Sequence, residues 1–161
     1  EIHKMKKPNQ LRKILEQSIP EFVKNPDRLQ LYVDGGQIVA TGAESFSFEY
    51  RYTLNIIVTD FSQDIASLIV PIIAYLRINQ PEIFENPQRR ENAFKFQVDY
   101  NNNNTADISF EIMLTERVVA KQTADEVKMH YAKEPVWDNP KVKIYLENEN
   151  NLIFDGEKWQ P

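Results

Sequence analysis

Between Phe46 and Val58 every second residue is apolar or aromatic: Phe46, Phe48, Tyr50, Tyr52, Leu54, Ile56 and Val58. Ser47, Glu49, Arg51, Thr53 and Asn55 between them are polar, with Ile57 the one exception. Side chains alternate faces along a strand, so this pattern predicts a long, half-buried β-strand. It is much longer than the usual five or six residues or so, long enough to outrun its own core. Upstream, Leu29, Leu31 and Val33 alternate as far as Asp34-Gly35-Gly36-Gln37, and Ile38, Val39 and Ala40 follow. Two glycines between apolar runs predict a tight hairpin, because both central residues of such a turn need positive φ. Pairing Asp34 with Gln37 sets Val33 opposite Ile38 and Leu31 opposite Ala40. After Gly42 the long strand then returns as a third antiparallel strand.

Leu11, Ile14, Leu15, Ser18 and Phe22 follow helical spacing, with Arg12, Lys13, Glu16 and Gln17 on the other face. Pro20 removes a backbone donor and is expected to kink or split this helix, and Asn25-Pro26-Asp27 ends it. A second helix, from about Gln63 to Ile78, carries Ile65, Leu68, Ile69, Ile72 and Leu76 on one stripe. Val70, Ile73 and Ala74 make the rest apolar too, which calls for burial on more than one side, within the domain or by a neighbour. Pro71 is expected to bend it. A polar loop follows, then strands at Phe94–Tyr100 and over Ile108, Phe110, Ile112 and Leu114, joined by the turn Asn101–Asn104. Val127, Met129 and Tyr131 alternate weakly; Glu134-Pro135 and Asn139-Pro140 read as linker. Val142, Ile144 and Leu146 face Leu152, Ile153 and Phe154 as a terminal hairpin. The fold class is α+β: a mainly antiparallel sheet of about five strands packed by two helices, order α-β-β-β-α-β-β, with a C-terminal hairpin appended. Residues 5–120 form the core domain and 121–161 an extension. Residues 1–4 read as an added leader before a natural start at Met5.

Composition narrows the chemistry. A chain of 161 residues is one domain by default and can bury a sizeable core. The absence of cysteine removes disulfides and thiol nucleophiles. Residues 99–161 supply the whole net charge of −5, and no basic face offers a grip on nucleic acid. The apolar run Ile65–Leu76 is too short for a bilayer, which needs roughly 20 residues.

Of two histidines, His3 lies in the leader and His130 on the polar side of a weak strand, where a solvated role outweighs a catalytic one. No phosphate-cradling glycine loop and no nucleophile elbow occurs. Glu49, Asp99, Asp107 and Glu111 fall on polar strand faces without metal-ligand spacing. The strand aromatics suit a sheet core better than base stacking, since no basic residues surround them. Three polar features rise above ordinary solvation: Glu49 with Arg51 on the long strand, Glu116-Arg117 ending the fifth, and the asparagine loop with its flanking acids.

Ser47–Phe61 (SFEYRYTLNIIVTDF), Leu68–Ile83 (LIVPIIAYLRINQPEI) and Asp107–Val118 (DISFEIMLTERV) resemble the tail completion protein R family of contractile-tailed temperate phages. So do Leu29–Asp34 with its glycine turn and the opening Lys7-Pro8 with Leu11-Arg12. The resemblance covers roughly residues 5–120. It implies a tail-terminator-type subunit that forms a ring, hexameric in related terminators. That ring caps the head-proximal end of the tail tube, stops its growth and helps join the head. Implied partners are further copies of the chain, the tail tube protein, and sheath and neck or head-completion proteins. DNA passes only as cargo, and no membrane, metal, organic cofactor or catalysis is expected. The location is the virion tail, assembled in the host cytoplasm. Candidate contact residues are Glu49, Arg51, Asp60, Val70, Ile73, Asn102, Asn103, Glu116 and Arg117. The competing readings are a neck or baseplate adaptor without ring closure and, remotely, a small hydrolase with a deep polar pocket.

Overall fold

The computed structural model describes residues 5–40, 42, 45–132 and 142–158. Strands β1 (Leu29–Ala40), β2 (Phe48–Phe61), β3 (Phe94–Tyr100), β4 (Ala106–Gln122) and β5 (Val127–Tyr131) build one antiparallel sheet. Its order is β1-β2-β4-β3, with β5 also on β4. Helices α1 (Lys6–Ser18) and α3 (Ala66–Asn79) cover one face, with the short helix α2 (Glu21–Lys24) after α1 and the short helices α4 (Glu82–Glu85) and α5 (Pro87–Asn92) after α3. Strands β6 (Lys143–Tyr145) and β7 (Leu152–Asp155) form the terminal hairpin that the sequence predicts. The class is α+β, as expected. The leader and both proline-containing linker pairs lie outside the described residues.

Four local expectations need correcting. First, Asp34-Gly35-Gly36-Gln37 is no hairpin. β1 runs straight through it beside β2, pairing Leu31 with Ile56, Val33 with Leu54, Ile38 with Tyr50 and Ala40 with Phe48. The register slips between Val33 and Gly36, so the two glycines form a bulge. Gly35 supplies a φ of 153°, and a Cβ on Gly36 would stand 2.3 Å from the Arg51 carbonyl oxygen. The glycine signal is real, but the close partner is β2 rather than β1 folding back on itself. Second, two strands, not three, precede the central helix. Third, the loop after α3 contains α4 and α5, the latter capped by Asn86 Oδ1 accepting from Gln88 N–H at 2.9 Å. Fourth, the fifth predicted strand does not end at Glu116-Arg117 but continues to Gln122.

Pro20 does separate α1 from α2, while α3 continues through Pro71. Even-numbered residues of β4 from Ala106 to Val118 point at the helices and are buried, meeting Leu54, Ile56 and Val58 of β2. Against them pack Leu11, Ile14 and Leu15 of α1 and Leu68, Ile72, Tyr75 and Leu76 of α3 in one continuous cluster. The β6–β7 hairpin lies on α3 and, less extensively, on α1. Phe154 is buried in that same cluster and Ile144 packs against it. The apolar flank of α3 is thus shared between the sheet side and the chain's own C-terminal hairpin.

The layers differ in length. The 17 residues of β4 reach about 56 Å at a rise of about 3.3 Å each. The 14 residues of α3 reach only about 21 Å at about 1.5 Å each. The inward positions are buried from Tyr52 on in β2 and as far as Val118 in β4, and the remaining ends of β1, β2 and β4 overhang the helical layer.

If the hairpin belongs to the folded unit, Phe154→Ala costs about 3–4 kcal/mol in urea unfolding, as for a buried phenylalanine elsewhere. A loss below about 1 kcal/mol would mean that it rests only loosely on α3.

Candidate assembly surfaces

The covered part ends at a buried polar seam. On β4, odd-numbered residues point their backbone groups toward the edge that carries β3 and β5. Met113 N–H donates to Ala93 O at 2.9 Å, and Arg117 O accepts from Ala132 N–H at 2.8 Å. Thr115 falls in the gap between β3 and β5, and the buried Gln80 side chain fills it. Gln80 Oε1 accepts from Thr115 N–H at 3.0 Å and from the Lys7 ammonium at 2.7 Å. Its Nε2 donates to Thr115 Oγ1 and Glu82 Oε2, each at 3.0 Å. A buried amide with every donor and acceptor used fixes its neighbours firmly.

Glu116 is the second member of the seam. Its carboxylate is turned inward, 4 % exposed, against the start of α1. Oε1 accepts from Lys6 N–H at 2.6 Å, and Oε2 accepts from the Tyr52 hydroxyl at 2.6 Å. Met5 supplies no side-chain cap to α1, so a carboxylate 110 residues away satisfies a free helix amide and meets the positive helix end. Burial, reinforced by the bond to Glu116, drives the Tyr52 phenol far above its ordinary range and holds it neutral. Tyr131 is likewise raised, by burial first and then by Tyr50. The Lys6 ammonium stands 5.3 Å from its ring centre.

Beyond the seam the helix-side face of the sheet is open. Ile38 and Ala40 of β1, Phe48 of β2, Ala120 of β4 and Met129 of β5 share this face in register. Ile38 is 71 % exposed, and Phe46 just before β2 is 64 % exposed. An open groove of about 940 Å³ runs among Ile38, Ala40, Ser45, Phe46, Phe48 and Gln122. A run of uncovered apolar side chains marks a contact surface more often than chance exposure does. At the other end of the sheet Tyr100 is 82 % exposed and Phe96 60 %.

The candidates from the sequence divide among several places. Glu49 and Arg51 lie on the outer face of β2 as an ion pair at 3.2 Å, and Arg117 stands directly across from Glu49 on β4. Asp60 has φ +53° at the end of β2. Its N–H donates to Asp107 Oδ1 at 2.9 Å, and its own Oδ1 accepts from Asn101 Nδ2 at 3.3 Å. Asn102 and Asn103 are exposed in the adjoining β3–β4 turn, where Asn103 Oδ1 accepts from Thr105 Oγ1 at 2.7 Å. Val70 and Ile73 are half-buried on α3. Glu116 is committed to the interior, so of its pair only Arg117 faces solvent. Gln80, Lys7 and Tyr52 carry the seam without a sequence signal. Gln80 sits in Asn79-Gln80-Pro81, which reads only as the stop of the second helix, and Tyr52 is one of many alternating aromatics. Among the described residues no group of three or more His, Asp or Glu is arranged to hold a metal, and no helix is long and apolar enough to cross a membrane.

Open edges and uncovered apolar side chains at both ends give this sheet surfaces suited to contact with other molecules. The family model for P2 phage tail completion protein R (GpR) matches residues 5–135, and the chain belongs to that family. It is 40% identical over 148 residues to Tail completion protein R of Escherichia phage P2, spanning 90% of this chain and 96% of the relative. No solved structure matches. Membership assigns the chain a role in phage tail completion, and so a place in the virion tail.

Two outcomes test the seam and the turn. Gln80→Ala leaves the Thr115 amide without its acceptor and removes one contact of the Lys7 ammonium, so stability falls by about 2–3 kcal/mol by urea unfolding. Asp107 is held below its ordinary 3.8, first by the Asp60 N–H and then by Asn101. A depressed folded pKa stabilises above the unfolded value and is lost as pH falls through the folded one. An NMR titration therefore finds the Asp107 midpoint below 3.8, and Asp107→Asn flattens the drop in urea midpoint below about pH 4.

Proposed function

We propose that the chain is a tail terminator: copies close into a ring that caps the head-proximal end of the tail tube, stops its growth and offers a surface for joining the head. The observation that carries this reading is the overhang, an apolar sheet end bounded by open strands and lying beyond the reach of the helical layer. A free edge invites pairing, and a ring uses one repeated contact to cover all such edges at once. Its expected partners are copies of itself, the tail tube protein, and sheath and neck or head-completion proteins, with DNA passing as cargo. The work is structural rather than catalytic, and assembly takes place in the host cytoplasm.

Glu49, Arg51 and Arg117 on the outer face, and Asp60, Asn102 and Asn103 at the opposite end, are the polar groups proposed to meet neighbours. Val70 and Ile73 are proposed to add apolar contact where the C-terminal hairpin leaves α3 half-buried. Glu116 takes a positioning part, holding α1 against the sheet. A neck or baseplate adaptor without ring closure uses the same surfaces elsewhere in the particle, so location separates the two readings.

Particles assembled without the protein are expected to carry overlong tubes or tails that fail to join heads by negative-stain microscopy. Labelled protein is expected at the head-proximal end of intact tails. Label at the baseplate end would overturn the terminator reading in favour of the adaptor.

A further inference from the structure

The outer face of the sheet, opposite the helices, is charged in a polarised way. Along β4 its residues run Asp107, Ser109, Glu111, Met113, Thr115, Arg117, Val119, Lys121, acidic at one end and basic at the other. Neighbouring strands add like charge at both ends, while Glu49 of β2 lies across from Arg117 nearer the middle. Asp99 of β3 lies directly across from Asp107, whereas Lys95 is spent opposite Glu111. Lys128 of β5 lies directly across from Lys121. Like charges directly opposed on adjacent strands destabilise the pair that carries them. Among the described residues none of these four has an ion pair, and the ion pairs present lie elsewhere, including Glu49–Arg51. Asp60 adds a further acid beside Asp107. Asp125 and Glu126 sit beyond the lysines in the β4–β5 turn, off the strand register.

From Asp107 to Lys121 the separation is about 45 Å along the strand, too far for one subunit to pair its own ends. Each end also has an exposed apolar side chain on the reverse face: Tyr100 next to Asp99, and Met129 next to Lys128. The two ends are therefore complementary in charge and similarly apolar. We infer that the contact between copies is heterologous, with the Lys121–Lys128 end of one subunit docking on the Asp99–Asp107 end of the next. Such a contact differs from a two-fold one, repeats around an axis and closes a ring if the rotation allows. The inference rests on the self-assembly proposed above and names the surfaces that carry it.

The test compares wild type with K121E/K128E and D99K/D107N by analytical ultracentrifugation, alone and on tail tubes, at about 50 mM and about 500 mM salt. Asn at 107 keeps an oxygen to accept from the Asp60 amide, and a single cooperative urea transition for each checks that both variants fold. Each variant alone is expected to associate at least tenfold more weakly than wild type, and high salt to weaken wild type. A 1:1 mixture of the two is expected to recover assembly, because every contact in an alternating array again joins opposite charges. Variants that fold and assemble like wild type, or a mixture that fails to recover, overturn the charge-paired contact and leave the terminator reading standing. Wild type that stays monomeric even on tail tubes overturns self-assembly itself.

Discussion

The constraint on which the structure depends is a mismatch of length. A strand advances about twice as far per residue as a helix. The 14 and 17 residues of β2 and β4 therefore extend well past helices of 13 and 14 residues. Within the covered part the protein is ordinary: alternating side chains meet the apolar stripes of α1 and α3, and Phe154 closes the far side of the helices. Beyond it the same strands keep their hydrogen-bond ladder and their alternation but have no second layer to pack against. Ile38, Phe48 and Met129 continue the core pattern into solvent.

The border between the two parts is built from polar groups, and this follows from what ends there. The start of α1 leaves free amides, and the gap between β3 and β5 leaves the Thr115 amide without a strand partner. Glu116 answers the first and Gln80 the second, at contacts of 2.6 Å and 3.0 Å. A hydrophobic side chain at either position would leave a buried donor unpaired, at about 1–3 kcal/mol each. The seam holds the helices at one end of the sheet and so keeps the other end open.

Much of this was legible in sequence because period-2 alternation survives wherever a strand has one buried face. Phe48 to Val58, Phe94 to Tyr100 and Ile108 to Leu114 all declared themselves in that way. Gly35-Gly36 misled because glycine serves both a turn and a bulge, and only the position of β2 decides between them. The run of β4 past Leu114 was obscured by Glu116 and Arg117, whose charges look like a strand end although one of them is buried. The seam was hidden for a related reason: it joins Lys7, Gln80 and Thr115, separated by 73 and 35 residues, so no local pattern can announce it. The charged ends of the outer face became visible only when the register set Asp99 across from Asp107 and Lys121 across from Lys128.

The central claim is that the overhanging end of the sheet is covered by other molecules in the tail. Amide hydrogen exchange, measured by mass spectrometry on the free subunit at high dilution and on intact tails, tests it most directly. The account predicts that segments 36–40, 45–50 and 118–131 exchange faster than the core segments in the free subunit and are strongly protected in the tail. Segments 54–58 and 108–112 should be slow in both. Equal, strong protection of the overhang in the dilute free subunit would contradict it.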